Sequence, residues 1–279
     1  MPVFDAFDGT ELAYHVNGVG EPLICVPGGP MRATPYLGDL GGLSRHRRLI
    51  PLDLRGTGDS ATPADPSSYR CDRLVDDVLA LQDHLGLASA DVLGHSAGAN
   101  IAVQYALSHP GRVRSLVLVT PSGRSAGLEP DTAMRREMIS LRQGEPWFKG
   151  AAAAFELVAA GGGAEEDWTA MTPLFYGRWD AAAQAHAAAG EEQANEEAAV
   201  AFGAEGAFDP AAPRAGLANL RTPVLVIGGS LDLQRPPAVT AEFAALFANS
   251  RLIVQPGAGH FPWLDDPGQF VSAVTEFLN

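Results

Sequence analysis

Short apolar runs alternate with amphipathic helical patterns in the first and last parts of this chain. Strand-like apolar runs occupy residues 22–27, 48–53, 90–94, 113–119, 223–229 and 251–255. Helical periodicity follows several of them, most clearly over 72–85, 97–108 and 267–278. Strands that alternate with helices in this way predict a mostly parallel, doubly wound α/β sheet. Residues 3–7 and 12–16, joined across Asp8-Gly9, predict an N-terminal hairpin.

The strand pattern stops in the middle of the chain. Residues 121–213 are rich in Ala, Glu and Gly, and three of the four tryptophans lie there. We therefore predict one core made of residues 1–120 and 214–279, with residues 121–213 inserted as a helical cap.

A serine lies at the junction of a predicted strand and a predicted helix, in Gly94-His95-Ser96-Ala97-Gly98. The small residues around Ser96 suit a nucleophile elbow, a strand-to-helix turn that exposes the serine hydroxyl at the carboxyl edge of a sheet. The histidine before it packs or lines the pocket in this interpretation. A small-residue turn with a solvated serine is the alternative.

An acid and a base follow in the chain order that this kind of site requires. Asp232 lies just beyond the strand-like run 223–229, and His260 lies beyond the run 251–255. Loops at the carboxyl ends of parallel strands are where open α/β sheets place their sites. Ser96, Asp232 and His260 are therefore predicted as nucleophile, orienting acid and general base.

A Pro/Gly segment follows the strand-like run 22–27 and completes the predicted site. In Pro27-Gly28-Gly29-Pro30, glycine allows the backbone to approach a ligand and to turn an N–H group toward it. We predict that the backbone N–H groups of Gly29 and Ala97 form an oxyanion hole.

On these residues the chain resembles the α/β-hydrolase superfamily along nearly its whole length. Residues 53–60 look like that family's D-x-R-G-x-G-x-S loop. Gly28-Gly29-Pro30 and the continuation through residues 36–40 are more narrowly similar to the proline iminopeptidase branch, whose oxyanion motif is H-G-G-P-G. Two departures are Pro27 in place of the histidine and Met31 in place of the last glycine.

That resemblance implies an α/β-hydrolase fold and a substrate site in the cap. Arg178-Trp179-Asp180 and Phe202-Gly203-Ala204-Glu205 look like cap segments in which proline iminopeptidases carry two glutamates that hold a free α-ammonium group. It implies that Asp180 and Glu205 bind the amine and that Trp179 lines the pocket. The alternative is that both acids are solvated, like the neighbouring glutamates of residues 191–197.

The sequence is compatible with three functions. The first is a serine hydrolase acting on N-terminal aminoacyl amides or short peptides, similar to proline iminopeptidases. The second is a carboxylesterase, lactonase or thioesterase for an uncharged small molecule, which the altered Pro27 and a largely apolar cap favour. The third is a ligand-binding protein with the same fold and negligible turnover.

Composition narrows the class of partner. A net charge of −14 over 279 residues disfavours nucleic acid and anionic membranes as partners. We see no export signal and no apolar run long enough to cross a bilayer, so we expect a cytoplasmic protein. Two cysteines, no metal-ligand cluster and no nucleotide motif lead us to expect neither metal nor cofactor. The oligomeric state stays open.

Overall fold

A computed structural model describes residues 1–208 and 211–279, without the side chains of Glu191 and of residues 211–213. Its eight strands in the described residues are β1 (Val3–Asp5), β2 (Glu11–Ala13), β3 (Pro22–Val26), β4 (Arg48–Pro51), β5 (Ala90–His95), β6 (Val113–Val119), β7 (Val224–Gly229) and β8 (Ser250–Gln255). The α-helices of the described residues are α1 (Val75–His84), α2 (Gly98–Ser108), α3 (Thr132–Ser140), α4 (Phe148–Ala159), α5 (Glu165–Met171), α6 (Ala181–Ala188), α7 (Gly190–Gln193), α8 (Glu196–Phe202), α9 (Ala211–Leu217), α10 (Pro237–Ala244), α11 (Pro262–Asp265) and α12 (Pro267–Leu278).

Six strands form one sheet in the order β4-β3-β5-β6-β7-β8, and every neighbouring pair is parallel. The chain enters this sheet at β3, next to one edge, forms that edge with β4, continues on the other side of β3 with β5 and then proceeds strand by strand to β8. The predicted doubly wound sheet is confirmed. β1 and β2 pair as a separate antiparallel hairpin, shorter than the two predicted runs.

The two faces of the sheet are buried by different helices. Along β3, Ile24 and Val26 face the cluster that includes residues of α1, α2 and α10, whereas Leu23 and Cys25 face the cluster that includes α12. Because side chains alternate along a strand, a strand that is apolar at every position must be covered on both faces. This is why the core strands read as continuous apolar runs.

The segment between β6 and β7 is helical, as predicted, and α3 to α8 lie within residues 121–208. Ile139, Phe155, Met171 and Leu174 form a small core there. The predicted boundary at residues 213 and 214 falls inside α9, next to residues 209–210, which lie outside the described part of the chain. We keep the term cap for residues 121–208, and its status as a separate domain stays a prediction.

Within the described residues, none of the helices has both the length and the apolar character needed to cross a membrane.

Candidate active site

Ser96 occupies a sharp turn between β5 and α2. Its φ angle is +50°, in the left-handed region that residues with a side chain rarely adopt. A side chain on Gly28 would meet the Ser96 Cβ at 2.9 Å, and one on Gly98 would collide with the carbonyl of Pro27. The glycines therefore allow the turn and the 27–30 loop to lie against each other, in the geometry predicted for a nucleophile elbow.

Three buried side chains from different strand ends meet at this turn. His260 Nε2 lies 2.9 Å from Ser96 Oγ, and His260 Nδ1 lies 2.9 Å from Asp232 Oδ2. The other oxygen of Asp232 accepts the backbone N–H groups of Gln234 and Arg235 at 2.8 and 3.0 Å. Asp232 is fully buried, so these bonds hold its carboxylate in one orientation. The structure thus brings together the three residues that the sequence singled out.

The two predicted oxyanion donors lie on either side of this serine. Gly29 has a φ angle of +123° and lines the same cavity as Ser96, and Ala97 directly follows Ser96. The hydrogen bonds found among the described residues leave the N–H groups of Gly29 and Ala97 without an acceptor. Unpaired N–H groups beside a nucleophile are available to an incoming oxygen.

A chain of hydrogen bonds joins the oxyanion loop to the backbone of His260. Burial, and then the charge of His260, hold the pKa of His95 well below its ordinary value, so its imidazole is neutral. His95 Nε2–H donates to the carbonyl of His260 at 3.1 Å. Its Nδ1 accepts the Tyr36 hydroxyl at 2.8 Å, and that oxygen accepts the N–H of Gly28 at 2.6 Å. His95 thus lines the cavity, which is one of the two roles that the sequence suggested for it, and it also holds the oxyanion loop in place.

The cavity above Ser96 has a volume of about 400 Å³, within the range of sites for small molecules. Its walls come from the core and from the cap. The core contributes Gly29, Arg32, His95, Ser96, Gln234 and His260, and the cap contributes Thr172, Phe175, Tyr176, Ala187, Ala194, Glu196 and Ala199. The backbone N–H of His260 also donates to the carbonyl of Phe175 at 2.7 Å, which fixes the cap segment against the His260 loop.

The structure does not bring the two predicted amine ligands to this cavity. Asp180 is exposed, caps the N-terminus of α6 through the N–H groups of Ala182 and Ala183, and pairs with Arg178 at 3.0 Å. Glu205 is exposed in a turn after α8. The backbone needs of a helix start explain Asp180, as they do for capping acids in general.

Trp179 is also absent from the cavity walls. It packs beside Tyr176, with ring centroids 5.3 Å apart, and belongs to the partly buried residues around the α12 face of the core. The structure thus places Trp179 among packing residues at the base of the cap and not on the wall of this cavity.

Sequence reasoning missed several residues that form the cavity. Arg32 and Tyr36 come from the loop after β3, and Phe175 and Glu196 come from the cap. Glu196 belongs to the glutamates of residues 191–197, which the sequence suggests are solvated acids. No local pattern distinguishes these residues, because the contact between loop and cap that places them is tertiary.

One group of described residues has the composition of a metal site. The ligand atoms of His15, Asp53 and Asp59 lie within 4.8 Å of one another. Asp53, however, already accepts the N–H and hydroxyl of Thr34 and the N–H of Asp59, and these bonds explain its burial. Its place is structural, because it holds the loop after β4 against the loop after β3.

Known proteins share this architecture. Residues 21–267 match the model of the family described as alpha/beta hydrolase fold. The chain is 25% identical to a proline iminopeptidase of Heyndrickxia coagulans, over 94% of this chain and 92% of the relative. It is 28% identical to a 2-hydroxymuconate semialdehyde hydrolase of Pseudomonas sp. (strain CF600), over 97% and 91%.

A solved esterase of Exiguobacterium antarcticum has the same fold, with a TM-score of 0.74, 20% identity and coverage of 99% of this chain and 98% of that one. The match to the family model covers most of the chain, and the sheet order and the serine turn agree with it. The chain therefore belongs to the α/β-hydrolase fold family and is a hydrolase of that family.

Proposed function

We propose that this protein is a serine hydrolase that cleaves a small ester or lactone through an acyl-enzyme on Ser96. The observation that carries the proposal is the continuous hydrogen-bonded chain from Ser96 through His260 to Asp232 at the floor of the cavity. Nucleophile, base and orienting acid in contact are the arrangement that acyl transfer requires.

Acylation follows from this geometry. Neutral His260 takes the Ser96 hydroxyl proton on Nε2 while Oγ attacks the acyl carbon. The negative charge that develops on the acyl oxygen is stabilised by the N–H groups of Gly29 and Ala97. Asp232 accepts the Nδ1–H of His260 and stabilises the imidazolium. The imidazolium then gives its proton to the leaving oxygen, and the bond from the acyl carbon to that oxygen breaks.

Deacylation repeats these steps with water. His260 takes a proton from water, the hydroxide attacks the acyl carbon, and Ser96 Oγ leaves with the proton that His260 returns. The free acid and the original serine result. The cavity walls contributed by the cap select the acyl and leaving groups, so we propose that the cap sets the substrate range.

Two observations favour esters and lactones over aminoacyl amides. Asp180 and Glu205, the acids that the resemblance suggested for an α-ammonium group, are exposed and outside the cavity walls. The cavity instead contains the cationic side chain of Arg32. An arginine at the site disfavours a cationic substrate by like-charge repulsion.

A second candidate is the aminopeptidase reaction, and the position of Glu196 favours it. This acid lines the cavity at its exposed side. If it binds an α-ammonium group, free alanyl or prolyl arylamides should be cleaved at least about tenfold faster in kcat/KM than their N-acetyl forms. Glu196→Gln should remove that preference, whereas Glu197→Gln, an exposed neighbour outside the cavity, should not.

The main proposal is tested by labelling and turnover. A fluorophosphonate should modify Ser96 alone, as identified by peptide mass, and Ser96→Ala should lower kcat on 4-nitrophenyl butyrate by about 10⁴-fold or more. The matched control is Ser122, a buried serine three residues beyond the end of β6. Ser122→Ala should keep both the labelling of Ser96 and the turnover of the ester. Substantial turnover by a folded Ser96→Ala variant would contradict the mechanism.

A further inference from the structure

Arg32 extends from the oxyanion loop into the cavity that holds Ser96 and His260. Its guanidinium carbon lies 4.4 Å from the centre of the Tyr36 ring, a stacked cation–π contact. The phenol of Tyr36 in turn bonds His95, the residue before the nucleophile. Arg32 is therefore linked through Tyr36 to the histidine that precedes the nucleophile, and it lines the same cavity as Ser96.

The described residues use only part of the hydrogen-bonding capacity of this guanidinium. Its Nε–H donates to Gln193 Oε1 at 2.9 Å, and one Nη2–H makes a long bond of 3.4 Å to the carbonyl of His186. A guanidinium has five N–H donors. Among the side chains that the structure describes, no carboxylate lies within 4.0 Å of Arg32.

The buried arginines Arg55 and Arg142 are paired with acids. Arg55 bonds the carboxylates of Asp77 and Asp8, and Arg142 lies 3.6 Å from Glu145. Burying a charge without a counter-ion is costly, so proteins ordinarily provide one. Arg32, which is half-buried, has no such partner among the described side chains, and it lies on the wall of the cavity that holds Ser96.

The described histidine and tyrosine side chains that contact Arg32 or lie beside it are neutral. Burial, and then the charge of Arg32, lower the pKa of His186 to about 4, and burial raises the pKa values of Tyr36 and Tyr176 above the ordinary range. Glu196 lines the cavity too but lies at its exposed side, beyond ion-pair distance from Arg32. Among these described neighbours, Arg32 is thus the charged side chain, and it is a cation in a protein whose net charge is −14.

We propose that Arg32 is a carboxylate-binding subsite and that the natural substrate is an anion, an ester or lactone that also carries a free carboxylate. This inference rests on the proposed serine hydrolase function. The planar guanidinium presents parallel N–H donors that match a carboxylate. Arg32 and Ser96 line the same cavity of about 400 Å³, so one small molecule can contact both, and a short dicarboxylic monoester is a substrate of this kind.

The kinetic test compares two esters with the same leaving group. Mono-4-nitrophenyl glutarate carries a free carboxylate, and 4-nitrophenyl valerate is its uncharged counterpart. We expect the wild-type protein to prefer the glutarate ester. Arg32→Gln should reduce that preference, the ratio of the two kcat/KM values, by at least about tenfold, mainly through KM, and Arg32→Lys should reduce it less.

Arg178→Gln is the matched control, since this exposed arginine lies outside the cavity walls. It should change the ratio by less than about twofold. The melting temperature and the rate of fluorophosphonate labelling are measured for each variant, so that misfolding or a damaged nucleophile is recognised.

A binding measurement separates this inference from the proposed function. Glutarate binding to Ser96→Ala is measured by calorimetry, with and without Arg32→Gln. Loss of binding on the second substitution supports the subsite, even if no ester is turned over. Labelling of Ser96 together with an unchanged ester ratio in Arg32→Gln would overturn the subsite and leave the hydrolase standing. Equal glutarate affinity with and without Arg32 would also overturn it.

Discussion

At the scale of single residues, Ser96 has an unfavourable backbone conformation, which the fold maintains at the candidate active site. A left-handed φ is unfavourable for any residue with a Cβ and almost free for glycine. The glycines around Ser96 allow the turn, but Ser96 itself keeps its left-handed φ angle. Strain of this kind is common at sites of chemistry and is a hypothesis of function that can be tested through stability.

We expect Ser96→Gly to be more stable than Ser96→Ala by about 1 kcal/mol, with both variants inactive. Both lose the same hydroxyl, so the difference reports the backbone alone. Urea unfolding of the two variants measures it.

Ser272, an exposed residue in the middle of α12, is the control position. There the free energy of unfolding of the alanine variant should exceed that of the glycine variant by a similar amount, because glycine weakens helix interiors. A Ser96→Ala variant that equals or exceeds Ser96→Gly in stability would contradict strain at the elbow.

The sequence predicts some site residues well and others poorly for a physical reason. Ser96, Asp232 and His260 follow apolar runs, and the end of a buried parallel strand has a known place in the fold. Arg32 and Glu196 depend on how the cap packs on the core, which no local pattern encodes. The assignment of Asp180 to the pocket failed because an acid at a helix start serves the helix N–H groups first.

At the scale of elements, the regular core was predictable and the cap was predictable only in kind. β3, β5, β6 and β7 are buried on both faces, so their apolar runs stand out. The cap is identified by its lack of strands, but its helices are short and rich in alanine. Their boundaries and facing directions follow from packing that composition does not determine.

One cap residue separates the active-site cavity from a second cavity. Phe175 lines both, as does Gln234 of the core. The second cavity, of about 280 Å³, has the apolar side chains of Phe155, Met171 and Leu233 among its walls and also polar ones. Removing the ring should join the two spaces, since interior packing leaves few other atoms to fill the gap.

We therefore expect Phe175→Ala to shift the preference among 4-nitrophenyl esters from the four-carbon toward the eight-carbon acyl chain, by about tenfold in relative kcat/KM. Each buried methylene is worth about 0.8 kcal/mol, so a two- or three-carbon extension into the new space is enough. Trp168→Ala changes only the second cavity and is the control. An unchanged chain-length profile in Phe175→Ala would show that the cavities stay separate.

At the scale of the whole molecule, cap and core are joined around a half-buried histidine. His186 of α6 donates from Nε2 to the carbonyl of Tyr36 at 3.1 Å, and its Nδ1 accepts the hydroxyl of Tyr176 at 2.8 Å. The bond from the Tyr176 hydroxyl requires an unprotonated Nδ1 and therefore a neutral ring. Burial, and then the nearby Arg32 charge, lower the pKa of His186 to about 4.

This shift makes stability depend on pH in a defined window. Between the ordinary histidine pKa of about 6.5 and about 4, the unfolded chain binds a proton at His186 that the folded protein does not. The contribution is present above pH 6.5 and is lost as the pH falls toward 4. We expect the free energy of unfolding of His186→Gln to fall less steeply over this window than that of the wild type.

Urea unfolding at half-unit pH steps measures the two slopes. His46→Gln, at an exposed histidine, is the control and should keep the wild-type slope. Equal slopes for wild type and His186→Gln would mean that this histidine does not couple the docking of the cap to protonation.

The backbone bridge between Arg32 and Ala194 bears on how such enzymes diversify. Ala33 N–H donates to the carbonyl of Gln193 at 2.8 Å, and Asn195 N–H donates to the carbonyl of Met31 at 3.0 Å, so loop and cap form a short antiparallel pair. A cap transplanted from a relative would bring a new substrate pocket but would also replace one side of this pair. Substrate specificity in this fold can therefore be transferred with the cap only in part. A grafted cap must either keep residues 193–195 of the host or bring the loop that pairs with its own residues at these positions.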